Sequence, residues 1–256
     1  MQVLYALLLS SSLAGLALWK RALTPGGTTL AWALCLLITA YGGGAAFAIL
    51  AVTLLGTVAA DRFAGERTDP YAVRRKSGSR DAVRVLCNVG VAGCAMLLCA
   101  ITGWKGFFLA YAGVMAESLA DSLASKLGPL SKSPPRDICT MKPIPAGLSG
   151  GVSLVGTLSE LLGAAVIALV FSLGTGNPGA LLTVTLAGFL GATFDSVLGS
   201  RAQAKYLCTV CGTVTERETH CGEDTRLTSG LRWLNNDAVN LLSNLFSLAL
   251  ALLLAL

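Results

Sequence analysis

The chain has 256 residues, 54% of them apolar and only 13% charged (19 Lys and Arg against 14 Asp and Glu), and its mean hydropathy is +0.69. Soluble domains carry charge on roughly a quarter of their residues. This balance excludes a soluble enzyme, a disordered chain and a secreted disulfide scaffold, and it describes a polytopic membrane protein.

Eight apolar runs follow one another along the chain: 3–19, 28–41, 43–60, 82–101, 105–127, 150–173, 179–199 and 233–256. About 20 apolar residues in a helix cross roughly 30 Å of hydrocarbon. The expected fold is therefore all-α, a membrane bundle of about seven or eight transmembrane helices. The first run has no basic segment ahead of it and no clear small-residue cleavage site behind it, so it reads as a retained helix and not as a signal peptide. The second and third are separated only by Gly42, Gly43 and Gly44, which allows either a tight hairpin or one long broken span. The fourth carries Asn88, and helix packing accounts for it as readily as a site does.

The fifth run holds Glu117, Asp121 and Ser125, with Gly128 after them, at i, i+4, i+8 and i+11 on one helix face. An intramembrane carboxylate costs several kcal/mol unless it is paired, hydrated or metal-bound, which marks a functional site; structural pairing with basic loops is the alternative. The following loop, Gly128 to Ser153, contains Arg136, then Lys142-Pro143-Ile144-Pro145 and Gly147, Gly150 and Gly151. Prolines stiffen it, Arg136 and Lys142 supply charge, and the glycines allow backbone N–H groups to approach an anion at the start of the next helix. The Walker A order is absent. The sixth run carries an isolated Glu160, the seventh carries Asp195 near its end, and the eighth opens with Asn235, Asn236, Asp237 and Asn240. Asn236 and Asn240 are expected to share a face with Trp233. Asp121, Asp195 and Asp237, three acidic helix ends beside a glycine-rich basic loop, suit Mg²⁺ with phosphate, because Mg²⁺ takes one or two carboxylates and completes its octahedron with phosphate oxygens and water.

Between the last two runs, a loop at 200–229 carries Cys208-x-x-Cys211 and His220-Cys221, and His220 is the only histidine. Three thiols and one imidazole match a closed tetrahedral structural Zn²⁺ site, with free thiols as the alternative. The other cysteines, apart from Cys139 in the loop, lie in or beside apolar runs as small packing residues. No internal repeat or linker divides the chain, so residues 1–256 form one integral membrane domain with the Cys/His loop inserted in it.

With eight spans, 18 of the 19 cations fall in alternate loops on one side, and only Lys105 on the other. The basic loops are expected in the cytoplasm and both termini on the opposite side. Topology therefore accounts for the net charge of +5 without nucleic acid, and the lipid bilayer is the expected surrounding partner. The oligomeric state is left open.

These motifs resemble the integral membrane family that includes plant and cyanobacterial phytyl-phosphate kinase. The resemblance runs from about Gly26 to the end of the chain. It is carried by Asp121, Ser122, Ala124, Ser125 and Gly128; by Lys142, Pro143, Pro145, Gly147, Gly150, Gly151, Val152 and Ser153; by Asp195, Ser196 and Gly199; by Leu234 to Asn240; and by Arg80, Asp81, Val85 and Asn88. Ser122 stands where Thr is usual, and Lys126 stands where Glu is usual. If that Glu binds metal in the family, another acid such as Glu117 takes its place here.

The resemblance implies phosphorylation of an isoprenoid monophosphate to its diphosphate by a nucleoside triphosphate. For that reaction, Asp121 and Asp195, joined by Asp237, are expected to hold Mg²⁺, and Lys142 with the loop N–H groups to neutralise the transferring phosphoryl group. Arg136 or Arg80 would hold the substrate phosphate. The order of elements is also similar to that of CTP-using dolichol kinases and CDP-lipid synthases, which favours CTP over ATP. Cytidylyl transfer to a lipid phosphate is the second reading. An ion-coupled transporter is the third, and it would call for acids at the bilayer midplane and repeated halves.

Overall fold

The computed structural model describes residues 2–64 and 80–256; Arg67, Arg74, Arg75 and Lys76, which enter the topology count, lie outside the described residues. Its helices are α1 (Gln2–Trp19), α2 (Pro25–Ala64), α3 (Ala82–Val85), α4 (Val91–Thr102), α5 (Gly106–Leu127), α6 (Leu154–Thr175), α7 (Ala180–Arg201) and α8 (Asn236–Leu254). A π turn at Leu86–Gly90 joins α3 to α4. The fold is the expected all-α bundle.

Helix α2 has 40 residues, and unbroken it would be about 60 Å long. Both of its ends nevertheless meet Arg80. Just before Pro25, Thr24 N–H donates to the Arg80 carbonyl and Arg80 N–H to the Ala22 carbonyl, each at 3.0 Å. Near the far end, the charge of Asp61 acts on the Arg80 guanidinium. The chain reverses at Gly43 (φ 66°, ψ −156°), a backbone region open essentially to glycine alone. Leu54 of the second arm accordingly shares an apolar cluster with Leu30, Ala31 and Leu34 of the first. The three glycines make a hairpin, not a long span. Among the described residues, six helices, α2 among them, are long and apolar enough to cross a membrane. With α2 folded into two arms and the shorter apolar α1 beside it, the bundle has eight segments.

Helix α5 is the axis, packed against α2, α4, α6, α7 and α8. Its buried face is built from small residues, including Ala110, Ala112, Gly113, Ala116 and Ala120. Small residues let backbones approach where hydrocarbon surroundings give apolar side chains no incentive to leave lipid. A Cβ added at Gly188 of α7 would stand 2.5 Å from the Ala116 Cβ, and one at Gly163 of α6 would stand 2.9 Å from the Ala120 Cα. Many large apolar side chains face outward, among them Leu8, Leu158, Leu173 and Leu182, each more than half exposed, while Ile38, Ile49, Met115 and Ile167 fill the core.

Two boundaries differ from the sequence expectation because polar caps set them. Helix α8 starts at Asn236, not at 233, since the Asn235 side chain accepts from Asp237 N–H at 3.0 Å and Ala238 N–H at 3.1 Å. Trp233 thus lies outside the helix, 66% exposed, and does not share a helical face with Asn236 and Asn240. Helix α6 starts at Leu154 because Ser153 accepts from Gly156 N–H.

Short strands shape the two long loops. β1 (Arg136–Asp137) pairs antiparallel with β2 (Gly151–Val152). β3 (Lys205–Leu207) pairs with β4 (Val214–Thr215) and β7 (Arg226–Ser229), and β5 (Thr219–His220) with β6 (Glu223–Asp224).

Candidate phosphate and metal site

One end of the bundle holds a cavity of about 540 Å³. Residues following α1 (Lys20, Arg21), the last turn of α2 (Asp61, Arg62), the end of α5 (Ser125, Lys126, Gly128), the start of α6 (Gly156, Thr157), the end of α7 (Asp195, Ser196) and the start of α8 (Asn236, Asp237) all line it. The first turn of α1 and the last of α8 therefore lie at the far end of the bundle.

Of the residues singled out in the sequence, Asp121, Asp195, Asp237, Arg80, Asn88, Ser125, Gly128, Gly147, Gly150, Gly151, Ser153, Asn236 and Asn240 line this cavity, as does Glu160. Asp121 and Asp195 are half-buried, whereas Asp237 is buried. A side-chain amide holds the Asp195 carboxylate in place. With its amide oriented by its partners, Asn240 donates to Asp195 Oδ2 at 3.0 Å and accepts from Asn88 Nδ2 at 3.2 Å, linking α7, α8 and the π turn. Arg84 Nε stands 3.9 Å from Asp237 Oδ1, and Arg80 Nη2 donates to Ser122 Oγ at 3.4 Å. Burial lowers the Arg80 pKa from its ordinary value, while Asp61 and Asp121 act against that shift. Lys126 pairs with Asp61 at 2.5 Å. Among the described residues, six acidic and six basic side chains line the cavity.

The loop between α5 and α6 is anchored at three points. Gly150 sits with φ +87° against the end of α7, where a Cβ would stand 2.5 Å from the backbone of Ser200. Ser153 caps α6 and donates to the Gly128 carbonyl at 3.0 Å, tying α6 to α5. Asp137 Oδ1 accepts from Cys139 N–H, Thr140 N–H and Thr140 Oγ, and its Oδ2 accepts from Ser200 Oγ at 2.7 Å. Gly147, Gly150 and Gly151 thereby border the cavity beside the first turn of α6.

Three expected residues stand elsewhere. Lys142 is exposed and does not line the cavity, because the 137–142 turn closes through Asp137 N–H to the Lys142 carbonyl at 2.9 Å, with Met141 at φ 57°. Arg136 is also exposed, and its Nη1 donates to the Met141 carbonyl at 2.9 Å as a clamp on that turn. Glu117 is buried away from the lining, where Ser243 Oγ donates to its Oε1 at 2.6 Å and stands 3.4 Å from Asp195 Oδ2. The sequence reading passed over Arg84, Asp61, Ser243 and Asn244. Arg84 and Asn88 are four residues apart, and Asn236, Asn240, Ser243, Asn244 and Ser247 continue one helical face, so both sets carried a periodic signal.

Glu216, on the loop between α7 and α8, also lines the cavity, and its Oε1 accepts from Ser149 N–H at 2.7 Å. On the same loop, ligand atoms of Cys208, Cys211, His220 and Cys221 lie within 4.8 Å of one another.

This arrangement can be set against known proteins. No solved structure matches the chain. It is 32% identical over 199 residues to Protein PGR of Arabidopsis thaliana, covering 68% of both chains. It is 29% identical to a membrane protein of Synechocystis sp. over 79% of this chain and 81% of that one. Protein VTE6, chloroplastic, of Arabidopsis thaliana is 25% identical over 84% of this chain and 58% of its own length. The family model described as integral membrane protein DUF92 matches residues 8–248, a span that takes in nearly every segment of the bundle and the whole cavity lining. The chain belongs to the DUF92 family of integral membrane proteins.

Proposed function

We propose that this protein is a membrane phosphotransferase that converts an isoprenoid monophosphate, of phytyl, geranylgeranyl or farnesyl type, to its diphosphate with a nucleoside triphosphate, CTP in preference to ATP. The observation that carries this reading is the convergence of Asp121, Asp195 and Asp237 with the Gly147–Gly151 loop and with Arg80 and Arg84 around one cavity. The resemblance of the same motifs to prenyl-phosphate kinases narrows the acceptor, and the outward apolar faces of the bundle suit a lipid substrate.

The all-oxygen donor set of Asp121 and Asp195, with Asp237 beside them, fits Mg²⁺. When bound, Mg²⁺ would neutralise charge between nucleotide phosphates. An oxygen of the prenyl monophosphate attacks the terminal phosphorus of the nucleotide, the bond from that phosphorus to the bridging oxygen breaks, and the nucleoside diphosphate leaves. The nucleophile is already an oxyanion, so the protein has to position and neutralise more than to remove a proton. Arg80 and Arg84 take the cationic role first expected of Lys142, and the N–H groups of the glycine loop cradle phosphate oxygens. Asn240 keeps Asp195 oriented. The cavity opens on the cytoplasmic side, where the basic loops belong.

Purified protein in detergent, given Mg²⁺, prenyl monophosphates and CTP or ATP labelled on the terminal phosphate, should yield labelled prenyl diphosphate. Asp195→Asn should lower turnover at least about 100-fold, and Asn240→Ala about 10- to 100-fold, as expected for a residue orienting a metal ligand. Unchanged turnover in Asp195→Asn would remove that carboxylate from the reaction. Pyrophosphate together with a CDP-lipid would replace the kinase by a cytidylyltransferase.

A further inference from the structure

The thiols and imidazole of the loop between α7 and α8 take no part in the proposed transfer, yet two separate turns bring them together. In the first, Cys208 N–H donates to the Thr213 carbonyl at 3.0 Å and Gly212 N–H to the Cys208 carbonyl at 2.9 Å, folding Cys208 and Cys211 toward one point. The second is the β5–β6 hairpin, with Thr219 opposite Asp224 and His220 opposite Glu223. Adjacent residues of an extended strand face opposite ways, which would keep His220 and Cys221 from sharing one ion. The backbone breaks that alternation: Cys221 has φ 54° and Gly222 φ 82°, a left-handed turn that is costly for a non-glycine residue. As a result, His220 Nδ1 stands 3.5 Å from Cys211 Sγ and 3.2 Å from Cys221 Sγ. In a tetrahedral site with Zn–S of about 2.3 Å and Zn–N of about 2.0–2.1 Å, nitrogen and sulfur ligands are separated by roughly 3.6 Å.

We propose that Cys208, Cys211, His220 through Nδ1 and Cys221 hold one Zn²⁺ in a closed four-ligand site, and that the ion fixes Glu216 on the glycine loop. Glu216 lies in the stretch between the two ligand pairs, so one ion clamps that stretch at both ends. Its carboxylate then accepts from Ser149 N–H between Gly147 and Gly150. The ion acts on the cavity through this contact and offers no open coordination position for chemistry.

The test uses the full chain in detergent. Elemental analysis should find about one zinc per chain, as expected for a structural site of this affinity. Cys208→Ser and Cys211→Ser should each lose the zinc, while Cys94→Ser, outside the loop, should keep it. Should the serine variants fail to fold, Co²⁺ exchanged into the unaltered protein should show the strong visible and thiolate charge-transfer bands of a tetrahedral sulfur-rich site. Chelation should speed tryptic cleavage after Arg217 and Arg226 by about tenfold or more, the mark of local unfolding. Folded protein without zinc, zinc retained by both serine variants, or weak octahedral Co²⁺ bands would overturn the site. Zinc removed with cleavage unchanged would overturn the clamp on Glu216. None of these readouts needs transferase turnover, so they stand apart from any failure of the proposed reaction.

Discussion

Asp137 lines no part of the cavity, yet it sets the shape of the loop that does. Burial by itself would raise its pKa; hydrogen bonds from Ser200 Oγ, Thr140 N–H, Thr140 Oγ and Cys139 N–H outweigh that and hold it at about 2, against an ordinary value of 3.8. Its folded value lies below its unfolded one, so its contribution to stability is complete above pH 3.8 and is lost as pH falls from there through 2. Asp137→Asn should therefore cost about 2 kcal/mol near neutral pH. The gap to the unaltered protein should close between pH 4 and pH 2 in thermal unfolding measured in detergent, and a gap that stayed constant across this range would assign the loop's anchoring elsewhere. The same turn, closed from Asp137 N–H onto the Lys142 carbonyl, directs Lys142 to solvent. Charge at this position was legible in the sequence. Its direction was not, because a six-residue turn can present a lysine to either side of a loop and only the closure onto Asp137 chooses.

Among the elements, α2 and its hairpin show how local chemistry decides a topology. Gly43→Ala would place a Cβ in a backbone region that only glycine occupies without strain, and should cost about 1–3 kcal/mol. Thermal unfolding would read this as a lowered midpoint, while Gly15→Ala, at a site with open space around it, should leave the midpoint unchanged or raise it. The hairpin brings Asp61 at the end of α2 to Lys126 at the end of α5. Lys126 is the position where the resembling family carries Glu, and the inverted charge has an acidic partner here. Both side chains are partly exposed, so the pair contributes at most about 1 kcal/mol; its consequence is local, since it occupies the charge of Asp61 at the cavity edge. The π turn in the fourth span has a comparable effect on Asn88, whose amide meets Asn240 across the bundle. Such turns often mark functional sites.

For the whole molecule, Lys20, Arg21, Arg62, Arg80, Arg84 and Lys126 gather at the cavity end of the bundle, with the first turn of α1 and the last of α8 at the other. If the cavity faces the cytoplasm, tags placed at both ends of the chain should be digested by protease added outside intact cells, while Arg217 and Arg226 of the loop between α7 and α8 stay protected until the membrane is opened. Protection of either tag with the loop intact would contradict the even number of crossings. Digestion of the loop from outside would reverse the orientation and place the nucleotide site away from cytosolic nucleotides.

Hydropathy read along the chain suffices for the membrane class and the helical bundle. Each of these follows from composition over a window of residues, since hydrocarbon selects length and apolarity and requires every backbone group to be paired within its own segment. The acidic helix ends were legible for the same reason: a carboxylate in an apolar run is costly enough to stand out. What the tertiary structure alone decided was partnership across sequence distance. Glu117 meets Ser243, Asp195 meets Asn240, Lys126 meets Asp61 and Ser149 meets Glu216. Such contacts depend on how helices rotate and approach once small residues pack at their crossings, and that outcome is set by every interface of the bundle together, not by the residues on either side of one contact.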